Sequence, residues 1–217
     1  ETAPVVSANP PHKIKLDTVG PVLKGTKVKI ADDGEILVSG ENVMNGYWND
    51  PKATSSTLIN GWIHTGDIGE MDEEGYLKIT DRKKDIIVNA GGDNISPSRV
   101  EEKLNIEPEI AQSMMYGDFK NYLVAILVPD RDYTQEWAKD HHKEFNIKKL
   151  NQDSDFIKMI KTTTERVNKK LSQIEQVRKF LLIDEEFTVE NNMMTPTLKV
   201  RRFKVKEKYQ NQLEALY

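Results

Sequence analysis

Five consecutive charged residues, Asp81-Arg82-Lys83-Lys84-Asp85, divide a chain of 217 residues between two kinds of patterning. Before them, short apolar runs alternate with turn signals, the period-two pattern of half-buried strands. Val28 to Ile30 and Ile36 to Val38 flank Asp32-Asp33-Gly34, with Gly34 available for the positive φ of a hairpin. Asp50-Pro51 combines an N-cap with proline in the first helical position and predicts a short helix to Thr57. Trp62 to Thr65 and Tyr76 to Thr80 read as strands joined around Met71-Asp72-Glu73-Glu74-Gly75. After the charged cluster the pattern gives a strand over 85–89, a Gly-Gly turn, and a helix capped by Ser96-Pro97 that runs to about Leu104. Ala111 to Tyr116 and Tyr122 to Val128 follow as strands, and Pro129 ends the second by removing a ladder donor. From Thr134 the chain reads as largely helical. Phe156, Ile160, Val167 and Leu171 share one helical face, with Ile157 and Thr164 beside it, as core packing requires. Phe180 to Ile183 is a predicted strand and Val205 to Leu216 a charged terminal helix. The fold class is α+β: a β-rich part, then a short sheet flanked by helices.

Composition removes several function classes. Hydrophobic residues are 37% and charged residues 30%, and no apolar run approaches the roughly 18 residues of a membrane span. Cytoplasm is the default location. The absence of cysteine excludes disulfides, thiolate metal sites and a cysteine nucleophile. His12, His64, His141 and His142 lack zinc-ligand spacing, and neighbours on a helix diverge by about 100°. Neither a metal hydrolase nor a Ser-His-Asp enzyme fits. A net charge of -4 supplies no global attraction to nucleic acid, and none is expected as a partner. Lys199, Arg201, Arg202, Lys204, Lys206 and Lys208 form a local basic run. It reads as a solvated face, against a nucleic-acid or lipid-headgroup patch. Met193-Met194 and Trp137 read as packing.

Two stretches carry chemistry. The first begins at Gly61, GWIHTGDIGEMDEEGYLKITDRKKDIIVNAGGDNISP, and the second is TPTLKVRR from Thr195 to Arg202. An acidic residue such as Asp67, with Gly66 beside it to admit a close ligand, can accept both ribose hydroxyls, although the same tripeptide also serves as a plain turn. Gly91-Gly92 allows close backbone approach to a ligand or a simple tight connection. Together these stretches resemble the adenylate-forming acyl-CoA synthetase superfamily, and within it the long-chain fatty-acid:CoA ligases. The resemblance extends from Glu1 to about Lys208.

That resemblance implies roles. Asp67 would bind the ATP ribose, and Arg82 the ribose or phosphate. Asp81 and Lys84 would belong to a hinge, with Lys84 the pivot; many relatives carry Gly in place of Asp81. Gly91 and Gly92 would line the tunnel for the phosphopantetheine arm of CoA, while Glu101 and Glu102 would be structural only. Lys199 would be the catalytic lysine, its ammonium reaching the α-phosphate and the carboxylate in the adenylating transition state. Many relatives read Pro-Lys-Thr-x-x-Gly-Lys here, whereas this chain has Leu198 before the lysine. Glu1-Thr2-Ala3-Pro4 resembles the end of a GYGxTExxP motif, which makes Glu1 a Mg²⁺ ligand and brings Thr2 into the nucleotide site.

The expected organisation is residues 1–80 as the end of a large AMP-binding domain, 81–85 as hinge, and 86–217 as a small mobile domain. The expected reaction uses ATP, Mg²⁺ and CoA to activate a long-chain fatty acid. The family's Ser/Thr/Gly-rich phosphate loop is not in these residues, so a preceding N-terminal domain is an expected partner and the chain alone is expected to be inactive. Peripheral membrane contact of the complete enzyme is left open. The alternatives are a fatty-acyl-AMP ligase or peptide-synthetase adenylation domain serving a carrier protein and, from another class, a non-catalytic nucleotide-binding or interaction module.

Overall fold

Alternating burial builds an antiparallel sheet from the first part of the chain. The computed structural model describes all 217 residues, and the chain divides into two compact units, Glu1–Asp85 and Ile86–Tyr217. In the first unit, β1 (Gly20–Pro21), β2 (Thr26–Ile30) and β3 (Glu35–Gly40) precede a short helix, α1 (Pro51–Thr57). β4 (Leu58–Ile59), β5 (Trp62–Met71) and β6 (Tyr76–Arg82) follow. The strand order is β1-β6-β5-β3-β2, with β4 added to β5. β2 and β3 form the expected hairpin, Val28 opposite Val38 and Ile30 opposite Ile36. Ile36, Val38 and Leu77 bury its inner face, as period-two side-chain alternation allows. The Asp50 carboxylate accepts the Ala53 N–H at 2.8 Å and so caps α1.

Several boundaries differ from the sequence reading. β5 continues to Met71, so Thr65-Gly66-Asp67 lies within a strand and not after one. Gly66 adopts φ +70° there, a left-handed conformation that costs glycine little, and pairing resumes with Asp67 opposite Arg82. The charged cluster is also more ordered than a solvated turn. Asp81 is buried and stands opposite Ile68 in the ladder, and only Lys83–Asp85 leave the sheet, in a single 3-10 turn. Beyond it the expected strand over 85–89 shortens to β7 (Ile87–Val88). The Gly-Gly turn connects β7 to another strand, β8 (Asn94–Ile95), before the helix begins.

The second unit is organised by one strand. α2 (Pro97–Asn105), β9 (Ile110–Tyr116), β10 (Leu123–Pro129), α3 (Arg131–Asp140), α4 (Ile147–Leu150), α5 (Ser154–Asn168), β11 (Val177–Leu182) and α6 (Arg202–Glu214) succeed one another. β10 is central, antiparallel to β9 and parallel to β11. Its run Leu-Val-Ala-Ile-Leu-Val is unbroken by polar residues because both faces are covered. Leu123, Ala125 and Leu127 meet Val100, Leu104, Trp137, Phe156, Ile160 and Val167 from α2, α3 and α5. Val124, Ile126 and Val128 meet Val205, Tyr209 and Leu213 from α6. Burying each Leu or Ile contributes about 1.5–3 kcal/mol relative to exposure. Leu171, expected on the stripe of α5, falls in the turn after that helix ends at Asn168 and still packs in the same core. The predicted strand at Phe180 begins earlier, at Val177. The α+β class holds.

Candidate nucleotide site and catalytic loops

Strands β3, β5 and β6 of the first sheet line a cavity of about 560 Å³ that gathers Glu1, Thr2, Asp67 and Arg82. Asp67 and Arg82 are cross-strand partners on β5 and β6, and Arg82 Nε donates to Asp67 Oδ1 at 2.7 Å. A carboxylate offers about four lone-pair positions, so this pair leaves acceptor capacity on Asp67 for hydroxyl donors. Thr65 Oγ donates to the Ile36 carbonyl at 2.7 Å and accepts the Asp67 N–H at 3.1 Å. The tripeptide is thereby tied to β3.

Sequence reasoning missed the group at the centre of this wall. Glu35, first residue of β3, is 3% exposed. It accepts the Gly66 N–H at 2.9 Å, Lys83 Nζ at 2.9 Å and pairs with His64 Nδ1 at 2.9 Å. Burial pushes its carboxyl upward, but the hydrogen bonds from Lys83, His64 and Gly66 outweigh it and hold Glu35 below the usual carboxylate range. The Asp33 and Glu35 carboxylates together hold the Lys83 ammonium above its usual range. The only signal in the sequence is an acidic residue opening an apolar strand, and its partners lie 29, 31 and 48 residues away.

The Mg²⁺ reading can be tested against the donors present. Glu1 Oε1 accepts the Tyr47 hydroxyl at 2.5 Å, and no group of three His, Asp or Glu side chains surrounds a common point. One carboxylate is compatible with Mg²⁺, which takes most of its ligands from phosphate and water. The protein alone builds no cage for it. Thr2 Oγ donates to the Pro4 carbonyl at 3.2 Å.

The remaining predicted residues stand elsewhere. Lys84 is exposed in the 3-10 turn next to buried Asp81. Gly91 and Gly92 form the tip of the β7–β8 hairpin, where Asn89 Oδ1 accepts the N–H groups of Gly91 and Asp93, each at 2.9 Å. Gly92 has φ +86° and nothing within 4 Å of a Cβ position, so the tip presents bare backbone.

Lys199 sits on a second hairpin. Leu198 N–H donates to the Thr195 carbonyl at 2.9 Å, closing a turn with Pro196 at its second position, where φ near -65° is wanted. The Thr195 N–H meets the Lys199 carbonyl at 2.9 Å and Arg201 N–H meets the Met193 carbonyl at 2.7 Å. Thr195 Oγ accepts the Lys199 N–H at 3.1 Å. The lysine is exposed at the end of this rigid loop. Leu198 has φ +58°, the left-handed position of a bulged hairpin, which suits glycine. Leu198→Gly is expected to raise stability by up to about 1 kcal/mol, since a non-glycine residue there costs roughly 1–2 kcal/mol and added chain freedom offsets part of the gain. A lower urea midpoint at unchanged slope would contradict it. Arg202 is not part of a solvated basic face. Its guanidinium grips the Glu101 carboxylate at 2.5 and 2.6 Å, in keeping with a structural role for Glu101.

Comparison with known proteins places this geometry. The family described as the AMP-binding enzyme C-terminal domain matches residues 84–217. The chain belongs to that family. Curated relatives include long-chain-fatty-acid–CoA ligase FadD15 of Mycobacterium tuberculosis, 38% identical over 95% of this chain and 35% of the relative. Human long-chain-fatty-acid–CoA ligase 6 is 38% identical over 85% of this chain and 27% of the relative. Among solved structures, the adenylation domain of a Mycobacterium chelonae carboxylate reductase superposes with TM-score 0.74 at 25% identity, over 91% of this chain and 31% of that one. O-succinylbenzoate coenzyme A synthetase from Bacillus subtilis, in complex with AMP, gives 0.60 at 29% identity, over 88% of this chain and 36% of that one. The chain thus spans about a quarter to a third of the length of the curated relatives it matches. No helix is long and apolar enough to cross a membrane.

Proposed function

We propose that this chain is the C-terminal part of a long-chain fatty-acid–CoA ligase. The observation that carries the reading is the Asp67–Arg82 pair, set across two strands in the wall of a cavity that also holds Thr2 and Glu1. In the first half-reaction a fatty-acid carboxylate oxygen attacks the α-phosphorus of ATP, and pyrophosphate leaves with the electrons of the broken P–O bond. In the second, the CoA sulfur attacks the acyl carbon, its proton is lost to solvent, and AMP leaves. Asp67 accepts the ribose hydroxyls, Arg82 holds Asp67 and meets the ribose or phosphate, and Thr2 belongs to the nucleotide site. Bound Mg²⁺ would neutralise phosphate charge, with Glu1 as its protein ligand. Lys199 serves the first half-reaction, and the Gly91–Gly92 tip admits the pantetheine arm in the second. Residues 1–80 and 86–217 belong to a large and a mobile domain, and Asp81 and Lys84 to the hinge over residues 81–85, with Lys84 the pivot. The names of the curated relatives support CoA as acceptor.

Asp67→Ala in the complete ligase leaves two ribose hydroxyls without their acceptor in a partly desolvated site. A loss of about 1–3 kcal/mol follows, a rise in KM for ATP of about 5- to 150-fold. Steady-state kinetics at saturating fatty acid and CoA reads it directly. An unchanged KM for ATP would overturn the assignment.

A further inference from the structure

We propose that Glu35 is a positioning residue of the nucleotide site: its buried carboxylate clamps the residues flanking Asp67 and Arg82 and fixes that pair in the register that presents it to a ribose. The proposal rests on the nucleotide-site reading above and extends it to a group that touches no ligand.

The argument is one of connectivity. Gly66 precedes Asp67 on β5, and Lys83 follows Arg82 at the end of β6. Glu35 accepts from both, Gly66 N–H through Oε1 and Lys83 Nζ through Oε2. A single side chain on β3 therefore ties down the two neighbours of a cross-strand pair. The tie falls where the sheet needs it. The β3–β5 ladder is irregular between Glu35 and Leu37, and the β5–β6 ladder between Ile68 and Gly69. Gly66 between them has left-handed φ. Backbone pairing to β3 is thus interrupted beside Asp67, and a charged hydrogen bond stands in for the ladder contact there. Lys83 is shared with Asp33 at 2.7 Å and His64 with Glu35 Oε2, so the carboxylate has donors on both oxygens. A buried carboxylate is costly unless it is paired and hydrogen-bonded, and this one has three partners, one of them a lysine ammonium. Its burial in the cavity wall behind Asp67, and not in the apolar core of the sheet, points to the site as what it serves.

A merely structural residue would weaken every reaction of the enzyme alike. A positioning residue for ribose contacts weakens only substrates that carry the hydroxyls. The test compares kcat/KM for ATP and for 2′,3′-dideoxy-ATP in the adenylation step of the complete ligase, read by pyrophosphate release. Asp67→Ala should collapse the preference for ATP, and this arm checks the site reading itself. Glu35→Gln keeps the shape and an acceptor for Gly66 N–H but loses the charge that holds Lys83. It should reduce the preference about tenfold, through KM for ATP, with KM for fatty acid unchanged. Glu35→Asp, which keeps the charge, should recover part of it. Lys83→Met, at a half-exposed position, should act in the same direction, and the double variant should be no worse than Glu35→Gln alone. If Glu35→Gln yields no folded ligase, Lys83→Met carries the comparison. Equal loss with ATP and dideoxy-ATP in these variants, while Asp67→Ala still removes the preference, would reduce Glu35 to a structural residue and overturn the proposal. No change in preference for Asp67→Ala would overturn the site reading, and the proposal with it.

Discussion

Lys199→Ala in the complete ligase is expected to slow acyl-adenylate formation by about 10²–10³-fold, the scale of losing one preorganised electrostatic donor. Transfer from preformed acyl-adenylate to CoA should proceed near the wild-type rate. The asymmetry follows from where charge develops. Joining a carboxylate to the α-phosphate gathers negative charge between the two, and one ammonium there favours the transition state over separated substrates. The hairpin supports such a role. Thr195 makes three of its contacts, through its N–H, its carbonyl and its hydroxyl, so little conformational entropy remains to be lost from the backbone when the exposed ammonium docks. In the second half-reaction the acyl–O bond breaks and no new bond to phosphorus forms, so on the proposed reading an ammonium that acts at the α-phosphate contributes little there. Rapid-quench measurement of each half-reaction separates the outcomes. Equal loss in both would mean that Lys199 acts through folding or binding and not through the adenylating transition state.

The largest stability effect is expected at Arg202. Its guanidinium and the Glu101 carboxylate form a bidentate pair in which Glu101 is 8% exposed. Glu101 Oε1 also accepts the Met115 N–H at 2.7 Å. The pair ties α2 to the first residue of α6, directly after the Lys199 hairpin. Arg202→Ala leaves a buried carboxylate without its counter-ion, a loss of about 3–5 kcal/mol. Replacing both residues by methionine should cost less than the single change, because no bare charge is then buried, although the Met115 N–H loses its acceptor. Urea denaturation of the chain gives the comparison. A loss below about 1 kcal/mol for Arg202→Ala would place the pair among surface ion pairs.

How far these contacts were legible in the sequence depends on their range. Local signals served well: Asp50-Pro51 and Ser96-Pro97 start helices where capping chemistry says they should, and the run Leu123–Val128 is a strand buried on both faces. Long-range pairing explains the misses. Asp67 lies inside β5 because Arg82 pairs with it across the sheet, which Gly66 conceals by interrupting the local alternation. β11 starts at Val177 because it adds in parallel to β10, while the exposed Arg178 and Lys179 hide the strand from any apolar count. Arg202 reads as one of many cations until Glu101, 101 residues earlier, is brought to it. The motif residues were named by the resemblance, and Glu1, Thr2, Asp67 and Arg82 line one cavity. Glu35 carries no such mark, and burial of a carboxylate becomes visible only when its three donors are in place.

On the proposed reading this chain serves an AMP-forming ligase with a CoA acceptor. The most direct test is the product balance of the complete enzyme with ATP, a long-chain fatty acid and CoA. Equal amounts of AMP, pyrophosphate and acyl-CoA are expected, with acyl-adenylate accumulating when CoA is withheld. ADP and phosphate as products, or acyl-adenylate that passes to a carrier-protein thiol and not to CoA, would contradict it.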